Sequence, residues 1–281
     1  MITLEHVDVI FGPNPQMVFP LLDAHESREV ILEKTQHFVA VSEVSFSVKH
    51  GEIFVLMGLS GSGKSTLLRC INGLNPVSRG EIKVNGALVS NSNAKMMRTL
   101  RREQVSMVFQ RSSLLSWRTV AQNIELGLEL QAVPQKERTL RTQKTLELVG
   151  LLKWKDHYPH QLSGGMQQRV GLARALVMET EILLMDEPFS ALDPLIKAQL
   201  QNELLRLQKE LKKTIVFVSH DLEEALRIGN RIAIMQDGKI VQMGTPEDIV
   251  FRPANAYVEQ FVAGVQRHYP DAHNNRMLNV A

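Results

Sequence analysis

The clearest pattern in the chain is a set of short apolar runs, each ending at a glycine or a polar residue. Largely apolar runs of this length predict strands that are covered on both faces, as in parallel sheets. Stretches with apolar residues at helical spacing lie between them, which predicts an α/β fold with a mostly parallel sheet. The runs are residues 53–57, 105–109, 182–185 and 214–218.

The N-terminal region has a different pattern. Residues 3–11 and 38–48 alternate apolar and polar positions, which predicts two strands of an N-terminal antiparallel β-subdomain. Residues 13–37 lie between them and contain three prolines and a short helical stretch over 27–34. We interpret 13–37 as an insertion, for which a surface decoration is the simplest role.

The middle of the chain is predicted to be helical. Residues 120–130 and 136–149 have helical patterns, so we expect a helical subdomain over about 111–160, set into the α/β core. We assign residues 1–265 to one domain. The polar, patternless tail over 266–281 is predicted to fray.

Composition narrows the class of protein. The 281 residues are 44% hydrophobic and 22% charged, which is ordinary for a soluble globular protein. The formal net charge is +2 and no long basic cluster is present, so nothing favours nucleic acid as a partner. The single cysteine, Cys70, excludes a disulfide framework and is predicted to be a buried core thiol. We find neither an apolar run of about 18 residues nor a signal-peptide pattern, so we expect any membrane role to depend on a partner.

Residues 58–66 have the pattern of a phosphate-binding loop. They follow the apolar run 53–57 and precede a helical pattern, which is the strand–loop–helix context that such a loop requires. The glycines let successive backbone N–H groups point at one anion, and the helix that begins at Lys64 adds the positive end of its dipole. Lys64 should reach the β- and γ-phosphates, and the Ser65 hydroxyl should bind Mg²⁺. The sequence therefore predicts a nucleoside triphosphate site formed by Gly58, Leu59, Ser60, Gly61, Ser62, Gly63, Lys64, Ser65 and Thr66.

Two later helix starts carry polar signals. Ser163 stands at the N-cap position of a helix, and Gly164 and Gly165 expose the first N–H groups of that helix. A plain cap explains Ser163 but not two glycines, whereas close approach of an anion explains all three. Asp221 and Glu224 have the spacing of a capping box, which predicts a structural role for Asp221.

Polar residues also follow three of the predicted strands. The carboxyl ends of parallel strands meet at one edge of a sheet, so we expect Gln110, Asp186 and His220 at the same edge. Asp186 suits Mg²⁺ binding, and Glu187 suits polarisation of an attacking water. The alternatives without a functional role are a polar turn at 186–187 and an ordinary surface histidine at 220.

Together these motifs resemble the nucleotide-binding subunit of an ABC transporter, over roughly residues 1–265. The resemblance implies a P-loop NTPase core, ATP and Mg²⁺ as cofactors, and a head-to-tail dimer. In that dimer each ATP lies between the Walker A loop of one copy and the signature of the other. The matching segments are the Walker A loop 58–66, Gln110 as the Q-loop, the signature LSGGMQQR, the Walker B strand 182–188, the D-loop 190–193 and His220 as the switch histidine.

The resemblance also implies roles for single residues. Ser163 and Gly165 would bind the γ-phosphate held by the other copy, and Glu187 would be the catalytic base. His220 would sense the γ-phosphate, and Gln110 would contact Mg²⁺ or the attacking water. Further nucleotide-site residues by this resemblance are Gly164, Asp193 and Phe11, with Ser65 and Asp186 at the metal.

Two of these positions depart from the usual pattern or are ambiguous. The fifth signature position, often Gln, is Met166, whose side chain cannot hydrogen-bond; Ser163 and the backbone N–H groups can still hold a phosphate. Phe11 occupies the place of an adenine-stacking aromatic, although a core phenylalanine is the alternative.

Within the family, the chain resembles the ATPases of quaternary-amine importers. This implies import of glycine betaine, proline betaine, choline or carnitine, with another small solute as the alternative. The implied partners are a second copy, membrane permease subunits and, indirectly, an extracytoplasmic substrate-binding protein, with the chain peripheral on the cytoplasmic face of the bacterial inner membrane. Many relatives carry C-terminal regulatory repeats for which this chain has no room, so we expect no such repeats and leave osmotic gating open.

Other classes of protein that contain an ATPase domain of this type fit the sequence less well. A chromosome-repair ATPase would carry a long coiled coil between Lys64 and Ser163, and no sustained heptads occur there. A translation-associated factor would normally fuse two heads, and only one is present. The insertion and the C-terminal region argue against an exporter.

Overall fold

Two β-sheets organise the chain, and one helix lies between them. The structure is a computed structural model that describes residues 2–90, 92–110 and 112–264, so the tail predicted over 266–281 lies outside it. The strands are β1 (Ile2–Phe11), β2 (Phe38–Val48), β3 (Ile53–Met57), β4 (Arg79–Val84), β5 (Ala87–Leu88), β6 (Val105–Val108), β7 (Ile182–Asp186), β8 (Thr214–Ser219), β9 (Arg231–Gln236) and β10 (Lys239–Gly244). The helices are α1 (Phe19–Asp23), α2 (Arg28–Thr35), α3 (Lys64–Ile71), α4 (Ala94–Glu103), α5 (Val120–Leu130), α6 (Gln135–Leu148), α7 (Gly164–Leu176), α8 (Pro194–Leu211), α9 (Leu222–Ile228), α10 (Pro246–Phe251) and α11 (Ala256–Val262).

The N-terminal sheet is antiparallel and has the strand order β2-β1-β4-β5. Its longest pairing joins β1 to β2, from Ile2 opposite Val48 to Phe11 opposite Phe38. The second sheet has the order β10-β9-β3-β8-β7-β6 and is parallel apart from β10. This arrangement, with helices around the parallel sheet, confirms the fold class predicted from the sequence.

The apolar run of β3 is unbroken because both faces of the larger sheet are covered. Phe54 and Leu56 pack into a cluster with α3 and the antiparallel sheet. Ile53, Val55 and Met57 pack into a second cluster with residues from α5, α7, α8 and α9. All five side chains are buried. Strand β3 therefore lies at the centre of the molecule and fixes the position of the loop that follows it.

Helix α3 contacts β1, β2 and β4 of the antiparallel sheet and β7 and β8 of the other. Its Leu67, Leu68 and Ile71 side chains are fully buried. Because α3 begins at Lys64, its N-terminal turn lies directly beyond the glycine-rich loop.

The segment 13–37 joins β1 to β2 and folds as a short 3-10 turn followed by α1 and α2. Ser27 caps α2, its hydroxyl accepting from the backbone N–H of Val30. Val18 and Ile31 of this segment pack with Ile10 and Val39 in a small apolar cluster at the end of the β1–β2 ribbon.

One cap differs from its prediction. Asp221 does cap α9, accepting from the backbone N–H of Glu224. The capping box is nevertheless wrong, because the Glu224 carboxylate does not return to the backbone of Asp221. It turns into the protein, where it accepts from the Ser219 hydroxyl and from Gln201 Nε2. Buried polar partners outcompete the local cap.

Candidate active site

The glycine-rich loop is held against the backbone on two sides. Gly58 and Gly63 have φ values of 145° and 101°, which favour glycine. A Cβ at Gly58 would lie 2.2 Å from the carbonyl oxygen of Met235, and one at Gly63 would lie 2.3 Å from that of Ala40. No other residue fits at either position, so these two glycines are required by packing as well as by conformation.

Lys64 folds back over this loop. Its Nζ donates to the carbonyl oxygens of Gly58 and Leu59, each at 2.8 Å, and to Ser62 Oγ at 3.2 Å. Burial lowers the pKa of Lys64, while the carboxylates of Glu187 and Asp186 oppose that effect. An ammonium held by neutral oxygens beside a helix N-terminus is an environment that favours an added anion.

Asp186 ends β7 and lies beside the start of α3. Its carboxylate is fully buried and accepts from Ser65 Oγ at 2.6 Å and from Arg69 Nη2 at 3.3 Å. Burial raises the pKa of Asp186, and these two donors oppose the shift. The hydroxyl and carboxylate oxygens form a hard donor set of the kind that Mg²⁺ prefers, with room for phosphate oxygens to supply the rest. The residues present therefore fit the metal.

The Glu187 carboxylate joins three strand ends. Its Oε2 accepts from Gln110 Nε2 at 3.2 Å and lies 3.2 Å from His220 Nδ1. The three residues follow β6, β7 and β8, which are neighbours in the sheet. The structure thus brings together Gln110, Glu187 and His220, all expected at one sheet edge.

The backbone of Glu187 is unusual. Its φ is 47°, in the left-handed region that strains a residue with a Cβ. Its N–H donates to the carbonyl of Val218, and its carbonyl accepts from Gln168 Nε2 at 3.1 Å. Gln168 also accepts from the backbone N–H of Ala191 at 2.9 Å.

Sequence reasoning missed Gln168. It lies within LSGGMQQR, but its neighbour Gln167 is equally polar, and only the helical period places Gln168 on the buried face with Gly171, Leu172 and Ala175. A buried amide on that face was the available signal. Gln168 links α7 to the backbone of the catalytic candidate.

The signature residues lie apart from the glycine-rich loop of the same chain. Ser163 caps α7, accepting from the backbone N–H of Met166, and the Cα of Gly164 faces open space. Over the described ranges, no hydrogen bond joins residues 163–165 to residues 58–66. Asp193 caps α8, accepting from the backbone N–H of Ile196.

Phe11 ends β1 and is 43% exposed. It lies directly opposite Phe38, the first residue of β2, which is 46% exposed. The core alternative for Phe11 is therefore wrong, because nearly half of its surface is open to solvent.

Comparison with known protein families matches residues 41–190 to the ABC transporter family. The chain belongs to the ABC transporter family. The match covers the glycine-rich loop, the signature and the Asp186–Glu187 pair. No helix in the described residues of this family member has the length and apolar character needed to cross a membrane.

Relatives of known function are similar over nearly all of the chain. It is 51% identical over 264 residues to the glycine betaine transport ATP-binding protein OpuAA of Bacillus subtilis, covering 94% of this chain and 63% of that protein. It is 50% identical to the glycine betaine/carnitine transport ATP-binding protein GbuA of Listeria monocytogenes, covering 99% and 70%. The chain thus spans about two thirds of the length of these relatives.

A solved structure supports the same family assignment. The dimeric, post-hydrolysis structure of the ATP-binding cassette MJ0796, bound to ADP and Pi, superposes with a TM-score of 0.77 at 31% identity. The superposition covers 88% of this chain and 99% of that one.

Proposed function

We propose that this chain binds and hydrolyses ATP and energises the import of a quaternary amine through a membrane permease. The observation that carries the proposal is the Glu187 carboxylate at a sheet edge, which accepts a hydrogen bond from Gln110 and lies 3.2 Å from His220 Nδ1. The same edge carries the Ser65–Asp186 pair, and Lys64 lies at the start of the adjoining helix.

In ATP hydrolysis, each of the residues around Glu187 has a separate role. Glu187 accepts a proton from the attacking water while the water oxygen bonds to the γ-phosphorus. The bond between the γ-phosphorus and the bridging oxygen breaks, and ADP leaves with that oxygen. Gln110 orients that water, and His220 donates to the γ-phosphate. The N–H groups of residues 58–66 and Lys64 hold the β- and γ-phosphates.

Ser65 and Asp186, with Gln110, would hold Mg²⁺. When bound, the metal neutralises charge on the phosphates. The buried Asp186 carboxylate contributes by keeping the Ser65 hydroxyl oriented, since that hydroxyl donates to it.

The proposal includes a head-to-tail dimer. Ser163, Gly164 and Gly165 form the N-terminus of α7 and, in the described residues, make no hydrogen bond to the chain's own glycine-rich loop, which suits a phosphate held by a second copy. Asp193, at the start of α8, would lie at the same interface. The dimeric MJ0796 structure bound to ADP and Pi supports this arrangement.

The transport role rests on the relatives. OpuAA is named for glycine betaine and GbuA for glycine betaine and carnitine, which supports a quaternary amine as the solute. We further propose that the chain works on permease subunits at the cytoplasmic face of the bacterial inner membrane. A substrate-binding protein would deliver the solute from the other side.

One set of variants tests these steps in order. Glu187→Gln should trap an ATP-bound dimer on size-exclusion chromatography and lower kcat at least 100-fold, because the water loses its proton acceptor. Ser163→Arg should abolish dimerisation and hydrolysis while leaving ATP binding intact. Wild-type hydrolysis in Glu187→Gln would refute the base assignment, and loss of ATP binding in Ser163→Arg would refute the trans arrangement.

The solute is tested in cells that lack other uptake systems. Uptake of labelled choline, glycine betaine, proline betaine or carnitine should appear with the wild-type chain and its permease and disappear with Glu187→Gln. If hydrolysis is normal but none of the four is taken up, the quaternary-amine assignment fails and the ATPase assignment stands.

A further inference from the structure

His220 is held in place mainly through its backbone. Its side chain is 61% exposed, and among the described residues the charged group that it approaches is the Glu187 carboxylate, 3.2 Å from Nδ1. Because packing restrains so little of the imidazole, its position depends on the residues on either side of it. These are Ser219, which ends β8 and is buried, and Asp221, which caps α9.

Ser219 bends the chain around His220. Its hydroxyl oxygen accepts from the backbone N–H of Asp221 at 3.0 Å. A serine oxygen that is bonded to the N–H two residues further on forms an ST turn, and His220 is the central residue of this one. The turn therefore sets the direction in which the His220 side chain leaves the edge of the sheet.

Glu224 fixes the orientation of the Ser219 hydroxyl. The hydroxyl donates to Glu224 Oε2, whereas the alternative acceptor, the Asp221 carbonyl, is 3.4 Å away. With its hydrogen directed at a carboxylate, the serine oxygen keeps its lone pairs for the Asp221 N–H. A hydrogen bond to an ionised acceptor is also stronger than a neutral one, so the turn is held more firmly.

The Glu224 carboxylate is in turn placed by α8. Its Oε1 accepts from Gln201 Nε2 at 2.9 Å and lies 3.4 Å from Lys197 Nζ, and the side chain is buried. A glutamate at this position of α9 could cap the helix in contact with water. Burying it is costly unless its partners are well arranged, and such departures from local rules are expected at functional sites.

We propose that Ser219 and Glu224 are positioning residues for His220. The proposal rests on the role proposed above for His220, donation to the γ-phosphate. The bonds run from Gln201 through Glu224 and Ser219 to the backbone N–H of Asp221, and they hold the imidazole where it can reach the phosphate. Neither Ser219 nor Glu224 touches the nucleotide, and each acts through His220.

The first test measures single-turnover hydrolysis of labelled ATP by the full chain, which resolves the rates of slow variants. Ser219→Ala should lower the rate about 5- to 100-fold, because the Asp221 N–H loses its acceptor and the turn loosens. Ser219→Thr keeps the hydroxyl and should stay within about threefold of the wild type. The affinity for ADP, which has no γ-phosphate, should change less than about twofold in both variants.

Glu224→Gln tests the second residue and serves in place of Ser219→Ala if that variant does not fold. It should lower the hydrolysis rate and leave the affinity for ADP unchanged, because an amide holds the Ser219 hydroxyl less firmly than a carboxylate. Glu223→Gln makes the same chemical change at an exposed position of α9 and is the matched control.

A second set of variants adds His220→Ala to each change. Because Ser219 and Glu224 act through the imidazole, their loss should cost less than about twofold once His220 is absent. A wild-type rate in Ser219→Ala, losses that multiply in the double variants, or an equal fall in the affinity for ADP would overturn the proposal. Wild-type hydrolysis in His220→Ala, or no hydrolysis by the wild type, would instead refute the proposed function.

Discussion

Glu187 keeps a backbone conformation that a glycine would adopt more easily. A non-glycine residue in the left-handed region costs of order 1–3 kcal/mol, and the surroundings must supply it. Here the supports are the bond from the Glu187 N–H to Val218 and the bond from Gln168 to the Glu187 carbonyl. The conformation directs the carboxylate toward Gln110 and His220.

At this scale we predict that Gln168→Leu lowers kcat about 10- to 100-fold with little change in ATP affinity. The variant keeps the approximate volume of the side chain but leaves the Ala191 N–H without its partner and removes one of the hydrogen bonds to the Glu187 carbonyl, which also accepts from Ser190 Oγ. We expect this to cost about 1–3 kcal/mol. Steady-state kinetics measures kcat, and titration with a non-hydrolysable ATP analogue measures the affinity. Gln199→Leu, at an exposed position on α8, is the control; an equal loss of activity there, or wild-type kcat in Gln168→Leu, would contradict the role.

At the scale of elements, helices α8 and α9 are joined next to His220 by a partly buried polar network. Lys197 Nζ lies 2.6 Å from Asp221 Oδ2 and 3.4 Å from Glu224 Oε1. Burial alone would raise the pKa of Asp221, but hydrogen bonds from Lys197 and from the backbone of Glu224 outweigh it and lower that pKa. The network therefore ties α8 to the segment that carries His220.

We predict that Lys197→Met lowers the free energy of unfolding by about 1–3 kcal/mol near neutral pH, because it leaves the buried Glu224 carboxylate without its cation. Because the pKa of Asp221 is lower in the folded than in the unfolded state, its ionised carboxylate stabilises the fold at any pH above the unfolded pKa. This stabilisation is lost as the pH falls through the folded pKa. The wild type should thus lose stability in acid below about pH 4, and the variant should lose less. Urea unfolding at several pH values measures both, with Lys209→Met as the exposed control.

The elements themselves were largely predictable, whereas their long-range polar links were not. Apolar runs as regular as Ile182–Met185 indicate a buried strand from local sequence alone. Helix α4 was not predicted, because it buries only Met97 and Leu100 and its apolar signal is short. Gln168 acts through partners 19 and 23 residues away, which no local pattern specifies. In the same way, Glu224 has the spacing of a cap but bonds to Gln201 instead.

At the scale of the whole molecule, α3 joins the two sheets and carries three side chains of the site. Lys64 contacts the glycine-rich loop, and Ser65 and Arg69 both contact Asp186. Leu68 packs in the core between the sheets. The stability of the fold and the geometry of the site therefore depend on the same eight-residue helix.

We predict that Leu68→Ala destabilises the chain by about 3–5 kcal/mol, because α3 is enclosed by both sheets and cannot move to fill the cavity. The melting temperature should fall by roughly 6–20 °C, at 2–4 °C per kcal/mol. Differential scanning calorimetry measures the shift. Leu211→Ala, on an exposed leucine, should change it by less than about 2 °C; equal shifts in the two variants would show that α3 is not enclosed.

The pairing of β3 with β8 and β9 has a consequence for synthesis of the protein. The phosphate loop is complete once Thr66 has been made, yet Gly58 is held against Met235, and β3 pairs with strands about 170 residues further on. A ribosome adding about 5–20 residues per second needs on the order of ten to thirty seconds to cover that distance. During this interval the loop has its Ala40 side but lacks its Met235 side, so we expect the nascent chain to hold a nucleotide only after Met235 has left the exit tunnel.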